Sequence, residues 1–223
     1  MRLSIKQPSA AGMALRTAVI LLIFVVAFTS LLAAAFLWTR PAIEAAAAEE
    51  KMKLIGEVLP RDLYDNDLLK DSRQLAPSAV LGLDEASTAY LARKGGEVTA
   101  LVFEAVAPDG YSGKIRLLLG VSADGTLLGV RVIQHKETPG LGDYIEPKKD
   151  RNKERPWIRQ FDGLSLAAVA DRDWRVRKDG GRFDSVAGAT VTPRAVIKAV
   201  HKALQYVAAN HRQLFASRAG EEK

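Results

Sequence analysis

A chain of 223 residues has room for one sizeable domain with appendages, and an apolar content of 48% excludes a wholly disordered protein. Cysteine is absent, which excludes disulfides, iron–sulfur clusters, thiolate metal sites and cysteinyl cofactor links. The net charge of +6 is a topology signal more than a nucleic-acid one: four of the 32 basic residues (Arg2, Lys6, Arg16, Arg40) and none of the 26 acidic ones fall in the first 40 positions, leaving 28 against 26. No nucleic-acid partner is expected. His135, His201 and His211 stand far apart without metal-ligand spacing, so no metal site is expected either, and the last two are read as surface residues of a terminal helix.

Residues 1–16 form a short basic segment. Thr17 to Thr39 is uncharged, rich in Leu, Val, Ile, Phe and Ala, and long enough to cross a bilayer as one helix, with Trp38 at the headgroup boundary. Positive charge precedes this span, and Glu44, Glu49 and Glu50 follow it, so the positive-inside rule puts the N-terminus in the cytoplasm and the remainder outside. Ala33-Ala34-Ala35 resembles a signal-peptide cleavage site. The apolar core is too long for that reading and no clean small-residue break follows it, so a retained anchor in the lipid bilayer is favoured.

Residues 40–95 are read as a linker. A helix is expected from Pro41 to about Pro60, then a loop with short helices over Arg61 to Lys94, ended by Gly95-Gly96. Strand signals begin at Glu97. Val98 to Val106 is almost continuously apolar, Lys114 to Ser122 places Ile115, Leu117, Leu119 and Val121 on one face, and Asp124-Gly125 gives a turn. Leu128, Val130 and Val132 then line one face of the next strand.

That strand runs into His135-Lys136-Glu137-Thr138-Pro139-Gly140-Leu141-Gly142-Asp143, a tight loop. Glu137 and Thr138 offer an acceptor and a donor there, and Gly140 and Gly142 let backbone approach closely. An ordinary Pro-Gly turn with solvated polar residues is the simpler reading of the same residues. Lys148 to Arg155 carries both signs of charge and reads as a solvated loop. Trp157 and Trp174 are read as packing residues, with stacking on an aromatic cofactor as the alternative. Leu164 to Ala170 reads as a short element and Trp174 to Lys178 as a strand. From Pro193 to about Phe215 an apolar stripe of Val196, Ile197, Val200, Ala203, Leu204 and Val207 predicts a helix covering one face of the sheet. The charged tail after Ala216 is expected to fray.

Between the last turn and this helix lies Asp184-Ser185-Val186-Ala187-Gly188-Ala189-Thr190-Val191-Thr192-Pro193. Thr192 suits an N-cap and Pro193 a first helical residue. The helix N-terminus directs free N–H groups and partial positive charge at this turn, which suits a phosphate. The residues alone do not choose among Ser185, Thr190 and Thr192, and a plain helix cap is the simpler local reading.

Three stretches, in this order and at these separations, carry a resemblance: Gly110-Tyr111-Ser112-Gly113, Glu-Thr-Pro-Gly-Leu-Gly at 137–142, and Gly188-Ala189-Thr190 followed by Pro193-Arg194-Ala195-Val196. The chain resembles the G subunit of the Rnf/Rsx ion-translocating electron transport complex. The family's close relative is the C subunit of the sodium-translocating NADH:quinone reductase; that assignment, or a membrane-anchored scaffold domain without flavin, is the alternative. The resemblance implies an α+β fold, an antiparallel sheet packed by a C-terminal helix, forming an FMN-binding domain over 96–216 behind a single transmembrane helix at 17–39, with a tail at 217–223. It implies a single-pass protein of the bacterial inner membrane with its main domain in the periplasm.

The resemblance also implies FMN joined by a phosphoester to Thr190, with Asp184, Gly188 and Ala189 in the same motif and Glu137, Thr138, Gly140, Leu141 and Gly142 lining the flavin. A threonine hydroxyl is a poor nucleophile without a base, and no histidine is near in sequence. The chain is therefore not expected to attach its own flavin; the resemblance implies a separate Mg-dependent flavin transferase that uses FAD as donor, alongside the other subunits of the complex. No catalytic residue is assigned, and the chain is not expected to turn over a substrate alone. Ala187 stands where serine or threonine is more usual in the family. That departure implies weaker attachment.

Overall fold

Residues 10–216 are described in the computed structural model; the charged tail and the first nine residues lie outside them. The chain divides into two compact units, 1–50 and 51–223. The described residues of the first are helical. Helix α1 covers Ala10–Gly56 with Pro41 in its interior, so the helix expected from Pro41 continues the apolar one before it as a single element. Pro41 supplies no N–H to the carbonyl four residues earlier. Close by, the Thr39 hydroxyl donates to the Ala35 carbonyl at 2.9 Å, and the run Ala45 to Ala48 beyond it consists of strong helix formers. An 18-residue window of mean hydropathy 2.8 with none of its surface buried makes α1 the one helix among the described residues long and apolar enough to cross a membrane.

The second unit is built on a five-stranded antiparallel meander with spatial order equal to chain order. Its strands are β1 (Ser72–Leu75), β2 (Ser87–Lys94), β3 (Glu97–Ala107), β4 (Ile115–Ser122) and β5 (Leu127–Gln134). Two of them occupy the segment expected to be loop and short helices. Both are hard to see in sequence: β1 has four residues, and β2 hides its inward Ala89 and Leu91 among polar and small neighbours. Gly95-Gly96 is the tight turn from β2 to β3 rather than the edge of the sheet.

Both faces of the sheet are covered, which explains why β3 is nearly all apolar. On one face Leu101, Phe103, Ile115, Leu117, Leu119 and Val130 pack into the main core. On the other, Val102, Ala100 and Leu118 meet Ile55, Val58 and Leu59 from the end of α1 and the turn after it. Gly120 makes that second contact possible. A Cβ there would stand 2.2 Å from the Val58 carbonyl oxygen. The expected grouping of Leu128 with Val130 fails because β5 carries a bulge: Gly129 pairs with Gly120 but Leu127 with Val121. The extra residue shifts the alternation, so Leu127 joins the main core and Leu128 the second one.

Residues 143–183 form short 3₁₀ turns instead of regular elements. The strand expected at Trp174 to Lys178 reduces to a single parallel bridge, Val176 to Phe183, and the 164–170 stretch consists of turns. Trp157 and Trp174 are both buried, in a run of touching rings, Tyr144–Trp157–Phe161–Phe183–Trp174. In the charged run the exception is Asp150, which is buried and accepts from the backbone N–H of Trp157 at 2.5 Å. Helix α2 (Val191–Ala209) lays its predicted stripe on the sheet, and a separate turn, α3 (His211–Phe215), follows. His201 is not a free surface residue: it stacks on Trp174 at 5.0 Å.

Candidate functional site

Helix α2 starts at Val191, two residues earlier than its sequence suggests, with Thr190 at the N-cap position. Pro193 is then the third helical residue. That costs nothing, because the first four helical N–H groups have no partner within the helix. Thr192 does not cap. Its side chain is buried and its hydroxyl donates to Oε2 of Glu137 in a short hydrogen bond. The Thr190 side chain makes no capping bond, and among the described residues its hydroxyl has no hydrogen-bond partner.

Thr190 lies on the rim of a pocket of about 120 Å³. Glu137, Thr138, Leu141 and Gly142 of the loop after β5 form one wall, and Gly188, Ala189 and Thr190 before α2 form the other. Tyr111, Val191 and Thr192 complete the lining; in sequence Thr192 was one of three candidate hydroxyls, Tyr111 stood only within the Gly110–Gly113 motif, and Val191 carried no signal. Gly140 and Asp184 are outside this lining. Gly140 is exposed, and its N–H donates to Asp143 Oδ1 at 2.8 Å, closing the loop. Tyr111, Leu141 and Val191 are exposed, at 69%, 49% and 43%, so the pocket has an apolar rim open to solvent.

The 184–189 turn is held from below. The Asp184 carbonyl accepts the Trp157 indole N–H at 2.6 Å, and its N–H donates to Gln160 Oε1 at 2.9 Å. The Tyr144 hydroxyl donates to the Ala189 carbonyl at 3.3 Å, and burial pushes its pKa up to about 12. The Asp184 carboxylate is not part of the pocket lining and pairs with Arg177 at 2.9 Å. Arg177, Lys178, Asp184, Ser185, Ala187 and Gly188 line a second, larger and more open depression of about 390 Å³ that also reaches Thr190. Gly188 has φ +83°, a conformation that glycine adopts without strain and that lets this turn fold back to the helix start. Arg177, Lys178, Tyr144 and Gln160 carried no sequence signal, because their place at the site depends on chain segments far from it.

Residues 110–205, which include both walls of the pocket, match the FMN-binding domain family. Over 202 residues the chain is 49% identical to the G subunit of the ion-translocating oxidoreductase complex of Pseudomonas aeruginosa, covering 91% of this chain and 92% of that one. The chain belongs to this G-subunit family. It is 41% identical to the Vibrio atlanticus member over 201 residues (90% and 93% of the two chains) and 40% identical to that of Shewanella baltica over 197 residues (88% and 91%). In this member of the family the three stretches that carry the resemblance meet at one place. The Ser112 N–H donates to Glu137 Oε1 at 3.0 Å, and Glu137 Oε2 accepts from Thr192.

Proposed function

We propose that this chain is the electron-carrying subunit of a membrane-bound ion-translocating oxidoreductase complex and holds FMN through a phosphoester on Thr190. One observation carries the reading: the unpartnered Thr190 hydroxyl stands at the start of a 19-residue helix, on the rim of a pocket walled by the 137–142 loop. The helix start favours the phosphate charge. The volume of 120 Å³ is well below the roughly 300–1,000 Å³ that enclose a drug-sized ligand, so it suits the phosphate and polyol end of FMN. The flavin ring would then rest against the apolar rim of Tyr111, Leu141 and Val191, with Thr138 and the backbone of Gly140 to Gly142 beside it. Bound FMN supplies the capacity to take up and pass on electrons. The chain's own residues hold and orient it.

Attachment calls for a second protein. Glu137, the one carboxylate lining the pocket, accepts from Ser112 and Thr192, Asp184 of the neighbouring depression is paired with Arg177, and no histidine among the described residues lines either. A separate flavin transferase is therefore proposed to supply the base. The Thr190 oxygen attacks the FMN phosphorus of FAD, a threonine–phosphate ester bond forms, the anhydride bond breaks, AMP leaves, and the hydroxyl proton goes to the transferase. The exposed Asp184 and its Arg177 partner lie where such an enzyme would reach the motif. The α1 segment is proposed to anchor the chain in the inner membrane, with the sheet domain on the periplasmic side next to the other subunits.

Protein co-produced with an FAD-dependent flavin transferase is expected to stay yellow after denaturation, with the FMN mass on the peptide containing Thr190. Thr190→Ala is expected to be colourless. Colour that survives in that variant, with the mass on Ser185 or Thr192, overturns the site; a colourless wild type favours a scaffold domain without flavin. Purification of the intact complex from membranes tests the partners and separates this reading from the quinone-reductase alternative.

A further inference from the structure

Glu137 is a buried carboxylate that forms no ion pair among the described residues. A lone buried charge is costly unless hydrogen bonds satisfy it. Here Oε1 accepts the Ser112 N–H at 3.0 Å and Oε2 accepts the Thr192 hydroxyl. The two donors lie 25 residues before it and 55 after it in the chain. The start of α2, with its partial positive charge, adds to the stabilisation. The backbone of the same residue is fixed too: the Glu137 N–H donates to His135 Nδ1 at 2.9 Å, while His135 Nε2 lies 2.7 Å from Glu146 Oε1. Gly142 closes over the joint with no room to spare. A Cβ there would stand 2.8 Å from both Glu137 Oε2 and Thr192 Oγ1.

From this we infer that Glu137 is a positioning residue that assembles the attachment site through its bonds to Ser112 and Thr192. The inference rests on the Thr190 reading above. Each carboxylate oxygen already holds one donor of the protein, the Ser112 N–H on Oε1 and the Thr192 hydroxyl on Oε2. What the carboxylate does is join three segments. It draws Ser112, and with it Tyr111, to the pocket mouth; it fixes its own loop, which presents Thr138 and Leu141; and it pulls Thr192 inward. The last step has the largest consequence. With its hydroxyl turned to Glu137, Thr192 leaves the capping position to Thr190, whose own hydroxyl then stands free at the rim.

The test measures the rate of covalent FMN incorporation, by in-gel flavin fluorescence, in the full chain co-produced with the transferase. Glu137→Ala and Thr192→Val are expected to slow loading about tenfold or more, the scale of one lost charge-assisted hydrogen bond. Glu137→Gln is expected to load within about threefold of wild type, because its amide oxygen accepts from Ser112 and its NH₂ donates to the Thr192 oxygen. Thr192→Ser keeps the hydroxyl and is expected to load normally. Gln as slow as Ala would show that the charge itself, and not the two hydrogen bonds, is what loading needs and would overturn the inference, as would normal loading of Thr192→Val. If Glu137→Ala fails to fold by far-UV circular dichroism, the isosteric Thr192→Val and Thr192→Ser pair decides. A wild type without covalent FMN refutes the underlying reading of function, and that result is distinct from either outcome for Glu137.

Discussion

The indole N–H of Trp157 donates to the carbonyl of Asp184 at 2.6 Å, tying a buried aromatic residue to the first residue of the Thr190 turn. Trp157 stands between Tyr144 and Phe161 in edge-to-face contact, so the donor is held in place by core packing. Trp157→Phe keeps most of the packing and removes the donor. It is expected to lower unfolding stability by about 1 kcal/mol, the net value of one such bond. Covalent flavin loading should fall as well, because the turn loses its support. Thermal unfolding alongside the loading assay checks both, and unchanged loading would show that the turn holds itself.

Tyr144 carries the pH prediction. Burial raises its pKa from the ordinary 10.0 to about 12; the Val186 N–H pulls it down in part, and the Asp150 charge adds to the rise. The folded pKa is above the unfolded one, so the folded state keeps its proton where the unfolded state loses it. The associated stability is fully present below pH 10 and is lost as pH rises from 10 to about 12. Tyr144→Phe cannot show this loss. Thermal midpoints of the two proteins between pH 8 and pH 12 should run parallel up to about pH 10 and converge above it, because only the wild type sheds this contribution. Curves that stay parallel throughout would contradict the assignment.

Gly142→Ala tests the fit of the loop against α2. The backbone at Gly142 is right-handed, with φ −94°, so alanine meets no dihedral strain. The added methyl instead collides with Glu137 Oε2 and Thr192 Oγ1, each 2.8 Å from the Cβ position. A cost of about 1–3 kcal/mol is expected, as for overpacking elsewhere. Flavin loading should drop along with it. An alanine variant with wild-type melting and loading would show that the loop relaxes freely.

Ala187 is exposed in the depression that reaches Thr190, where its methyl offers nothing to a phosphate. Replacing it with serine adds a hydroxyl there without entering the core. The initial rate of flavin incorporation in Ala187→Ser is expected to rise by up to about tenfold, the value of a single added hydrogen bond to a charged group. A time course with limiting transferase measures it. A rate equal to wild type would show that this position has no part in attachment.

Features that repeat along the chain were legible before folding. The apolar run at 17–39, the strands β3, β4 and β5 and the α2 stripe each carry their signal within a few residues, and each element formed. β1 and β2 did not show, because a four-residue strand and an alanine-bearing one have too little contrast between faces. The side assigned to Leu128 was wrong for a different reason. Periodicity assumes an unbroken ladder, and the bulge between Leu127 and Gly129 is set by how β5 pairs with β4.

Hydropathy, turn chemistry and residue identity are carried locally, and they were enough to mark the long apolar helix, the α+β class and the three motifs whose order signals the family. Which hydroxyl stands free at the helix start was left to the packed fold. Thr192 looked like the cap because local rules see only its neighbours. Its hydroxyl turns instead to a carboxylate 55 residues away, a partner that exists only once β5 and α2 are packed together, and Thr190 is left unbonded at the rim.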